Sequence, residues 1–428
     1  MSGSGKTFTL LLAIIFLSSL VFVLSPAPVK AASKTLVVPD EYPTIADAVG
    51  NATAGDTVFV KDGTYSIYEL GIDVPLTLVG QNPQKTILLS SSWYPVGLSS
   101  AIEIVANDVT VENFTIIGLT HISAELGNSP ELVGILLQTY SDTGPQPSDC
   151  KIIDNTVMNN YAAGISVSGD SQNNIVSGNN VTENWGQGIY LGSSNSVISN
   201  NNVTENNGTG IGVDSCKNVT IKQNNILHDS GGLSLSYYGS FHVYQNNITD
   251  NKGYGLQFGE NCSNSAIYDN NIVGNQVGID LSNFAAPFGT GNKVYSNNLI
   301  NNSVNAFVEH TFSYNPTHVS NGTDTVSWDE GKTGNYWSDY LSKYPDASEV
   351  DSSGIENTPY VIDANNTDYY PLAKQVNIPN TAFFFFSPPL IAAIVIVVVV
   401  VAVITPLLLY YRRHRKLANF TSAQFSIC

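Results

Sequence analysis

The sequence predicts an all-β solenoid, a parallel β-helix, and three observations predict it. At seven positions one repeat apart the chain writes Asn, any residue, then an aliphatic: Asn155, Asn179, Asn201, Asn224, Asn246, Asn270 and Asn297. A second phrase, Gly followed by Ile or Leu, keeps the same beat from Gly164-Ile165 to Gly278-Ile279. The runs between these corners are short, β-branched and alternating, as in Ile189-Tyr190-Leu191 and Val219-Thr220-Ile221. A steady period of roughly 22 to 24 residues marks a repeat architecture of one coil per repeat. No helical stretch separates the runs, which argues against a leucine-rich horseshoe.

The elements follow in order. Residues 1–31 carry Lys6, an apolar stretch from Phe8 to Leu24 and a small-residue end, the pattern of a secretory signal. Residues 36–80 predict an N-terminal lid. There Thr44 and Asp47 are spaced as a capping box, and Ile45, Ala48 and Val49 form a short apolar helix face. An open solenoid end needs such a cover. The β-helix with its cap is assigned to residues 36–312, its regular coils beginning near residue 150. Residues 313–375 are rich in aromatics, including Trp328, Tyr336, Trp337, Tyr340, Tyr344, Tyr360, Tyr369 and Tyr370, and are assigned as a C-terminal cap. A linker, 376–389, leads to residues 390–411, an uncharged apolar run long enough to cross a bilayer as one helix. Arg412, Arg413, Arg415 and Lys416 follow, so the positive-inside rule makes residues 412–428 a cytoplasmic tail. The chain is therefore expected to be a single-pass protein of the cell membrane, with its large N-terminal part outside.

Coil stacking turns sequence repeats into columns roughly 4.8 Å apart. Val181, Val203, Ile226, Ile248, Ile272 and Leu299 supply one inward aliphatic column. The Asn two places earlier faces the same way by strand alternation. Asn155, Asn179, Asn201, Asn224, Asn246, Asn270 and Asn297 are thus expected to form an internal amide ladder and to tolerate left-handed backbone. The Asn between should point outward. Asn180, Asn202 and Asn247 lie in Asn-x-Thr sequons in that outward column, and none of the seven ladder residues does. Cys216 and Cys262 fall two coils apart, about 9 to 10 Å, too far to bridge.

Residues 32–380 hold 11 Lys, no Arg and all 35 acidic residues, a formal charge of −24. Nucleic acid is therefore not an expected partner.

The segments Pro39-Asp40-Glu41-Tyr42-Pro43-Thr44-Ile45, Ala54-Gly55-Asp56-Thr57-Val58 and Asp62-Gly63-Thr64-Tyr65 resemble the start of right-handed parallel β-helix proteins of the pectin-lyase-like superfold. Gly334-Asn335-Tyr336-Trp337-Ser338-Asp339-Tyr340, with Thr358-Pro359-Tyr360-Val361-Ile362-Asp363 and Asp368-Tyr369-Tyr370-Pro371-Leu372, is similar to the C-terminal part of the NosD-like, periplasmic copper-binding protein-like family. The resemblance covers about residues 36–372 and implies a right-handed β-helix. For function it implies a range: lyases, hydrolases, epimerases and plain binding proteins share this superfold.

The best-known chemistries of that superfold lack their residues here. Residues 32–380 have no Arg base, and the chain has neither Asp-Asp nor Gly-His-Gly. The sharpest chemical column reads Asn159, Glu183, Glu205, His228, Asp250, Gly274, Asn301. Glu183 and Glu205 would sit near the roughly 5 to 5.5 Å carboxylate spacing of a retaining glycosidase. Glu205, His228 and Asp250 could equally hold a divalent cation. The plainer reading is a row of solvated corner residues. Asp346, Glu349 and Asp351 match a calcium-type acidic loop of the resembled family, with fewer acids, and calcium is the one cofactor suggested. Copper handling needs soft ligands, yet only Met158 and five scattered His precede the apolar run after the signal. Tyr161 and Trp185 fall on adjacent coils, where rings suit sugar faces; packing over a corner is the alternative. The expected function is non-enzymatic binding of polysaccharide or surface-layer glycan. A polysaccharide-active lyase, hydrolase or epimerase is the alternative, and a copper-handling accessory role a second one.

Overall fold

The computed structural model describes residues 32–90, 98–118, 131–138, 146–259, 261–281, 289–308 and 326–379. The expected leader, the apolar run 390–411 and the tail lie outside these residues. Among the described residues no helix is long and apolar enough to cross a membrane.

Three parallel sheets wrap one core. The first runs from Thr35–Val38 to Lys293–Tyr295 in eleven strands. The second runs from Gly63–Ile67 to Tyr336–Trp337, also in eleven. The third runs from Leu70–Ile72 to Val304–Val308 in ten. Each strand pairs with its counterpart one coil away, so the registers stack like residues: Val157 on Val181, Val181 on Val203, Val203 on Ile226. The predicted aliphatic column from Val181 to Leu299 is fully buried. Burying each such side chain stabilises by roughly 1.5–3 kcal/mol. The Gly of each Gly-Ile phrase is required by close packing: a Cβ on Gly188 would lie 2.5 Å from Val203 Cγ1 and 2.6 Å from the Gly210 carbonyl oxygen.

The N-terminal lid forms as the spacing predicts. Helix α1 (Ile45–Gly50) buries Ile45, Ala48 and Val49 on the first coil. The Thr44 hydroxyl accepts from the Asp47 N–H at 3.0 Å and donates to the Asp47 carboxylate at 2.7 Å. The carboxylate thus meets the capping hydroxyl instead of the backbone N–H of a full capping box.

All seven predicted ladder asparagines are buried and linked. The backbone N–H and Nδ2 of each rung donate to Oδ1 of the next, for example Asn201 to Asn224 at 3.0 and 3.0 Å and Asn224 to Asn246 at 3.0 and 3.0 Å. Nδ2 also reaches back to a carbonyl of the preceding coil, as from Asn224 to the Ile198 oxygen at 3.0 Å. The ladder extends one rung beyond prediction, to Asn335, and ends where Asn335 N–H donates to Asp368 Oδ2 at 2.7 Å. The left-handed backbone expected at the ladder Asn falls one residue earlier. The left-handed residue is the one before each ladder Asn, including Asp154, Asn200, Gln223, Gln245, Asp269 and Ser296 with φ between 53° and 57°. The Asn itself belongs to the extended strand entry.

A second interior ladder, five residues downstream, was not anticipated. It comprises Asn160, Asn184, Asn206, Asp229, Asn251, Asn275 and Asn302. It passes through Asn305, whose Nδ2 donates to Asp339 Oδ1 at 2.7 Å. Both ladders therefore end on a carboxylate of the C-terminal cap. A third, outer ladder corrects the sequon reading. Asn180, Asn202, Asn225 and Asn247 do face outward on the second sheet, but each Nδ2 from Asn202 onward donates to the preceding Oδ1 at 2.8 Å, and Asn180 is only 4% exposed.

The aromatic segment closes the last coil. Trp328, Trp337, Tyr340 and Tyr360 are buried, and the Trp337 and Tyr360 rings stack at 4.0 Å. Helix α2 (Tyr340–Lys343) sits on this cap. Cys150, Cys216 and Cys262 are buried free thiols.

Candidate functional site

The corner between the second and third sheets carries the sequence-predicted aromatic pair. Each coil arrives there through a left-handed residue, then a buried second-ladder rung, then a residue pushed outward. On adjacent coils those outward residues are Tyr161 and Trp185. Their rings lie parallel, 9° apart, with centroids at 6.1 Å. Trp185 is 58% exposed and Tyr161 is half-buried. The rings cover one another on one side, and Trp185 is the more exposed of the two. Among the described residues, the next coil sets against the other face of Trp185 no ring but the exposed Asn207.

Beside the rings the corner is a shelf almost without side chains. A Cβ on Gly186 would sit 1.6 Å from the Ala162 oxygen, and one on Gly208 would sit 2.7 Å from the Gly186 carbonyl carbon. Backbone bonds tie the steps together: Gly208 N–H to the Gly186 oxygen at 2.9 Å, Ser230 N–H to Gly208 at 3.0 Å, Gly253 N–H to Ser230 at 2.8 Å. Across the shelf stand half-buried Gln187, Thr209 and Tyr254, with the Tyr254 and Thr209 hydroxyls 2.9 Å apart. A flat strip with one free aromatic face and amide and hydroxyl groups along its edge suits the faces and hydroxyls of a saccharide.

The acidic column occupies the left-handed positions of the same corner. Asn159, Glu183, Glu205, His228, Asp250, Gly274 and Asn301 all have φ between 53° and 68°. A left-handed L-residue costs roughly 1–2 kcal/mol, and the fold imposes that conformation on this whole column whatever the residue. The strain is therefore architectural. Glu183, Glu205, His228 and Asp250 are exposed. Partial desolvation of the carboxyl against the corner first, then the charge of Glu205, raise Glu183 above its ordinary range. Asp250 directs its carboxylate onto the next coil, where a Cβ on Gly274 would meet its Oδ1 at 2.1 Å. It thus leans away from His228, and the Glu205–His228–Asp250 trio is not drawn together.

The other metal candidates are also dispersed. Glu349 Oε1 accepts from the Gly354 N–H at 2.7 Å, closing its own loop, and Asp346 and Asp351 are exposed beside it. Among the described residues, no group of three or more His, Cys, Asp or Glu side chains is gathered to hold a metal ion.

Sequence reasoning missed a second aromatic stack. Tyr244, Tyr268 and Tyr295 lie on successive strands of the first sheet, with centroids at 5.2 and 5.3 Å. Their common offset, two residues before each first-ladder Asn, was a signal available in the sequence. These rings cover each other's faces and present mainly edges.

The family described as right handed beta helix region matches residues 99–196 and 172–324. No curated protein matches the chain. Among solved structures, the chain is similar to the A-module of Azotobacter vinelandii mannuronan C-5 epimerase AlgE6. That likeness has 15% identity and a TM-score of 0.54 over 68% of this chain and 82% of the other. The AlgE4 A-module of the same organism is similar at 17% identity and a TM-score of 0.52, over 66% and 79%. At these identities the likeness concerns the fold.

Proposed function

The chain belongs to the right-handed β-helix family, and from that premise we propose that it is a membrane-anchored, non-enzymatic glycan-binding protein. The observation that carries this reading is the exposed Trp185 face, backed by Tyr161 and opening onto the Gly186–Gly208 shelf. A saccharide chain laid along the shelf would stack one ring on Trp185 and meet Gln187, Asn207 and Thr209 with its hydroxyls. Two structural neighbours are named for a polysaccharide, mannuronan, which supports an extended sugar chain as the class of ligand. The −24 formal charge of residues 32–380 repels polyanions, so neutral glycans fit better. The scattered exposed carboxylates of the corner column favour binding over turnover. Anchoring rests on the sequence of residues 390–411 and the cationic residues that follow.

The test is a glycan array probed with the full chain in detergent, run beside an assay for new reducing or unsaturated ends. Binding to neutral glycans without new ends is expected, with Trp185→Ala weakening it by about 1 kcal/mol or more. Turnover that survives Trp185→Ala but is abolished by Glu183→Gln and Glu205→Gln would replace this reading with the enzymatic one. For topology, a tag after Cys428 should resist protease in intact cells while residues 32–380 are cleaved. A cleavable tag would contradict the anchor.

A further inference from the structure

Asp229 stands where six other coils have asparagine. In the second ladder the side-chain nitrogen of each rung occupies one fixed place beside the Gly of the preceding coil. A Cβ on Gly164, Gly188, Gly232, Gly255 or Gly278 would meet the Nδ2 of Asn184, Asn206, Asn251, Asn275 or Asn302 at 2.7 to 3.0 Å. On Gly210 the same Cβ would meet Asp229 Oδ2, at 2.4 Å. An oxygen therefore sits in the place of a nitrogen.

That place is built for a donor. Asn206 Nδ2 donates to the next rung and to the Val181 oxygen at 3.1 Å, and Asn251 Nδ2 donates to Asn275 Oδ1 at 3.0 Å and to the Ile226 oxygen at 3.3 Å. By the repeat of these bonds, the acceptors that fall to Asp229 Oδ2 are Asn251 Oδ1 and the Val203 carbonyl. The other carboxyl oxygen is already satisfied: Oδ1 accepts from Asn206 N–H at 2.7 Å and from Asn206 Nδ2 at 2.9 Å. The residue is fully buried, and Oδ2 has no hydrogen-bond partner. An ionised oxygen there would face only acceptors in a dry interior, which is costly. A carboxylic O–H restores the missing donor.

We infer that Asp229 is a protonated carboxylic acid in the folded protein at neutral pH, its Oδ2–H completing the ladder, and that its ionisation loosens the corner next to the Trp185 shelf. Burial, the leading cause, raises this carboxyl to about 8, and Glu205 on the preceding coil adds to the shift. The Asn206 hydrogen bonds and Lys252 on the following coil oppose it. His228 precedes Asp229 in its own coil, and Asp250 on the next coil turns toward Gly274. Ser230, the third step of the shelf, follows Asp229 directly, so the titrating rung and the shelf share one corner.

The sign follows from linkage. The folded value lies above the unfolded one, so the stability contributed by the proton is complete below the ordinary aspartate range near pH 4. It falls as pH rises and is lost once pH passes the folded value. The experiment follows thermal unfolding of the full chain in detergent from pH 4 to 9, for the wild type and Asp229→Asn. In parallel, infrared spectra monitor the C=O stretch of protonated carboxyl groups. The melting temperature of Asp229→Asn is expected to exceed that of the wild type by a margin that widens from pH 4 to about 8 and then levels. At pH 7 the wild type should show a protonated-carboxyl band that Asp229→Asn lacks. A margin independent of pH, or identical bands at pH 7, would overturn the inference. So would a drop in the wild-type melting temperature on chelation with EDTA that Asp229→Asn does not share, which would put a cation where the proton is placed. If Asp229→Asn does not fold, the wild-type spectrum still decides: the absence of any carboxyl band titrating near pH 8 overturns the inference.

Discussion

The interior ladder from Asn155 to Asn335 is an amide at every rung, whereas the one from Asn160 to Asn302 carries a carboxyl at Asp229. The two run through the same coils and obey the same geometry. An amide in mid-ladder, such as Asn224, receives two bonds on Oδ1 and gives two to the next rung from N–H and Nδ2, so it is both donor and acceptor, whereas Asn160, the first rung of the second ladder, only gives. An acceptor-only carboxylate suits the terminal position, where donors arrive and nothing need be passed on. Asp368 and Asp339 hold those terminal positions, both supplied by the aromatic cap. In mid-ladder the same group must keep a proton. The comparison also separates scaffold from surface: the ladders lie inside, and the Trp185 shelf lies one residue outside the second ladder.

The largest effect is expected at the centre of the uninterrupted ladder. Asn224→Ala strands the Asn201 donors in a dry interior and takes the Nδ2 donor from Asn246 Oδ1 and the Ile198 oxygen, and should cost about 3 kcal/mol in chemical denaturation. Next comes a ladder end. Asp368→Ala leaves the Asn335 N–H and the Trp337 Nε1–H without their acceptor, for a loss of about 2 kcal/mol. Burial raises the Asp368 carboxyl to about 6. Its linked contribution is therefore complete below about pH 4 and lost as pH climbs through 6, so the deficit of Asp368→Ala should be greatest at acidic pH. Asn225→Ala in the outer ladder removes 2.8 Å bonds to Asn202 and Asn247 on a half-wet face and should cost about 1 kcal/mol. A loss at Asn225 equal to that at Asn224 would erase the distinction between inner and outer ladders. Trp185→Ala should leave the melting temperature unchanged, because the exposed ring lies outside the core. A variant that melts early would make Trp185 part of the packing.

The first ladder was legible because its Asn is followed two residues later by an inward aliphatic, a phrase short enough to read without structure. The second ladder was not, for two physical reasons. Its asparagines precede corners of variable length, as Asn206-Asn207-Gly208-Thr209 against Asp229-Ser230-Gly231 shows. One rung is also an aspartate, which breaks any search for asparagine alone. The terminators Asp368 and Asp339 lie 33 and 34 residues from the amides they cap, Asn335 and Asn305, at separations no repeat announces. The Glu183–Asp250 column was visible as a repeat, but what the repeat records is left-handed backbone. Tyr161 and Trp185 could be placed on adjacent coils from the sequence, while the glycine shelf beside them required the coil-to-coil contacts.

The most direct test moves the odd group from one ladder to the other. Asn224→Asp, on the same coil as Asp229, puts a carboxyl in the middle of the uninterrupted ladder. Thermal unfolding of this variant and the wild type should be compared at pH 4, 6 and 8. A small deficit is expected at pH 4, where the new carboxyl keeps a proton and can donate, and a deficit that grows steadily to pH 8. A deficit of the same size at all three values, or none at pH 8, would contradict the claim that a side chain in mid-ladder must both give and receive a hydrogen bond.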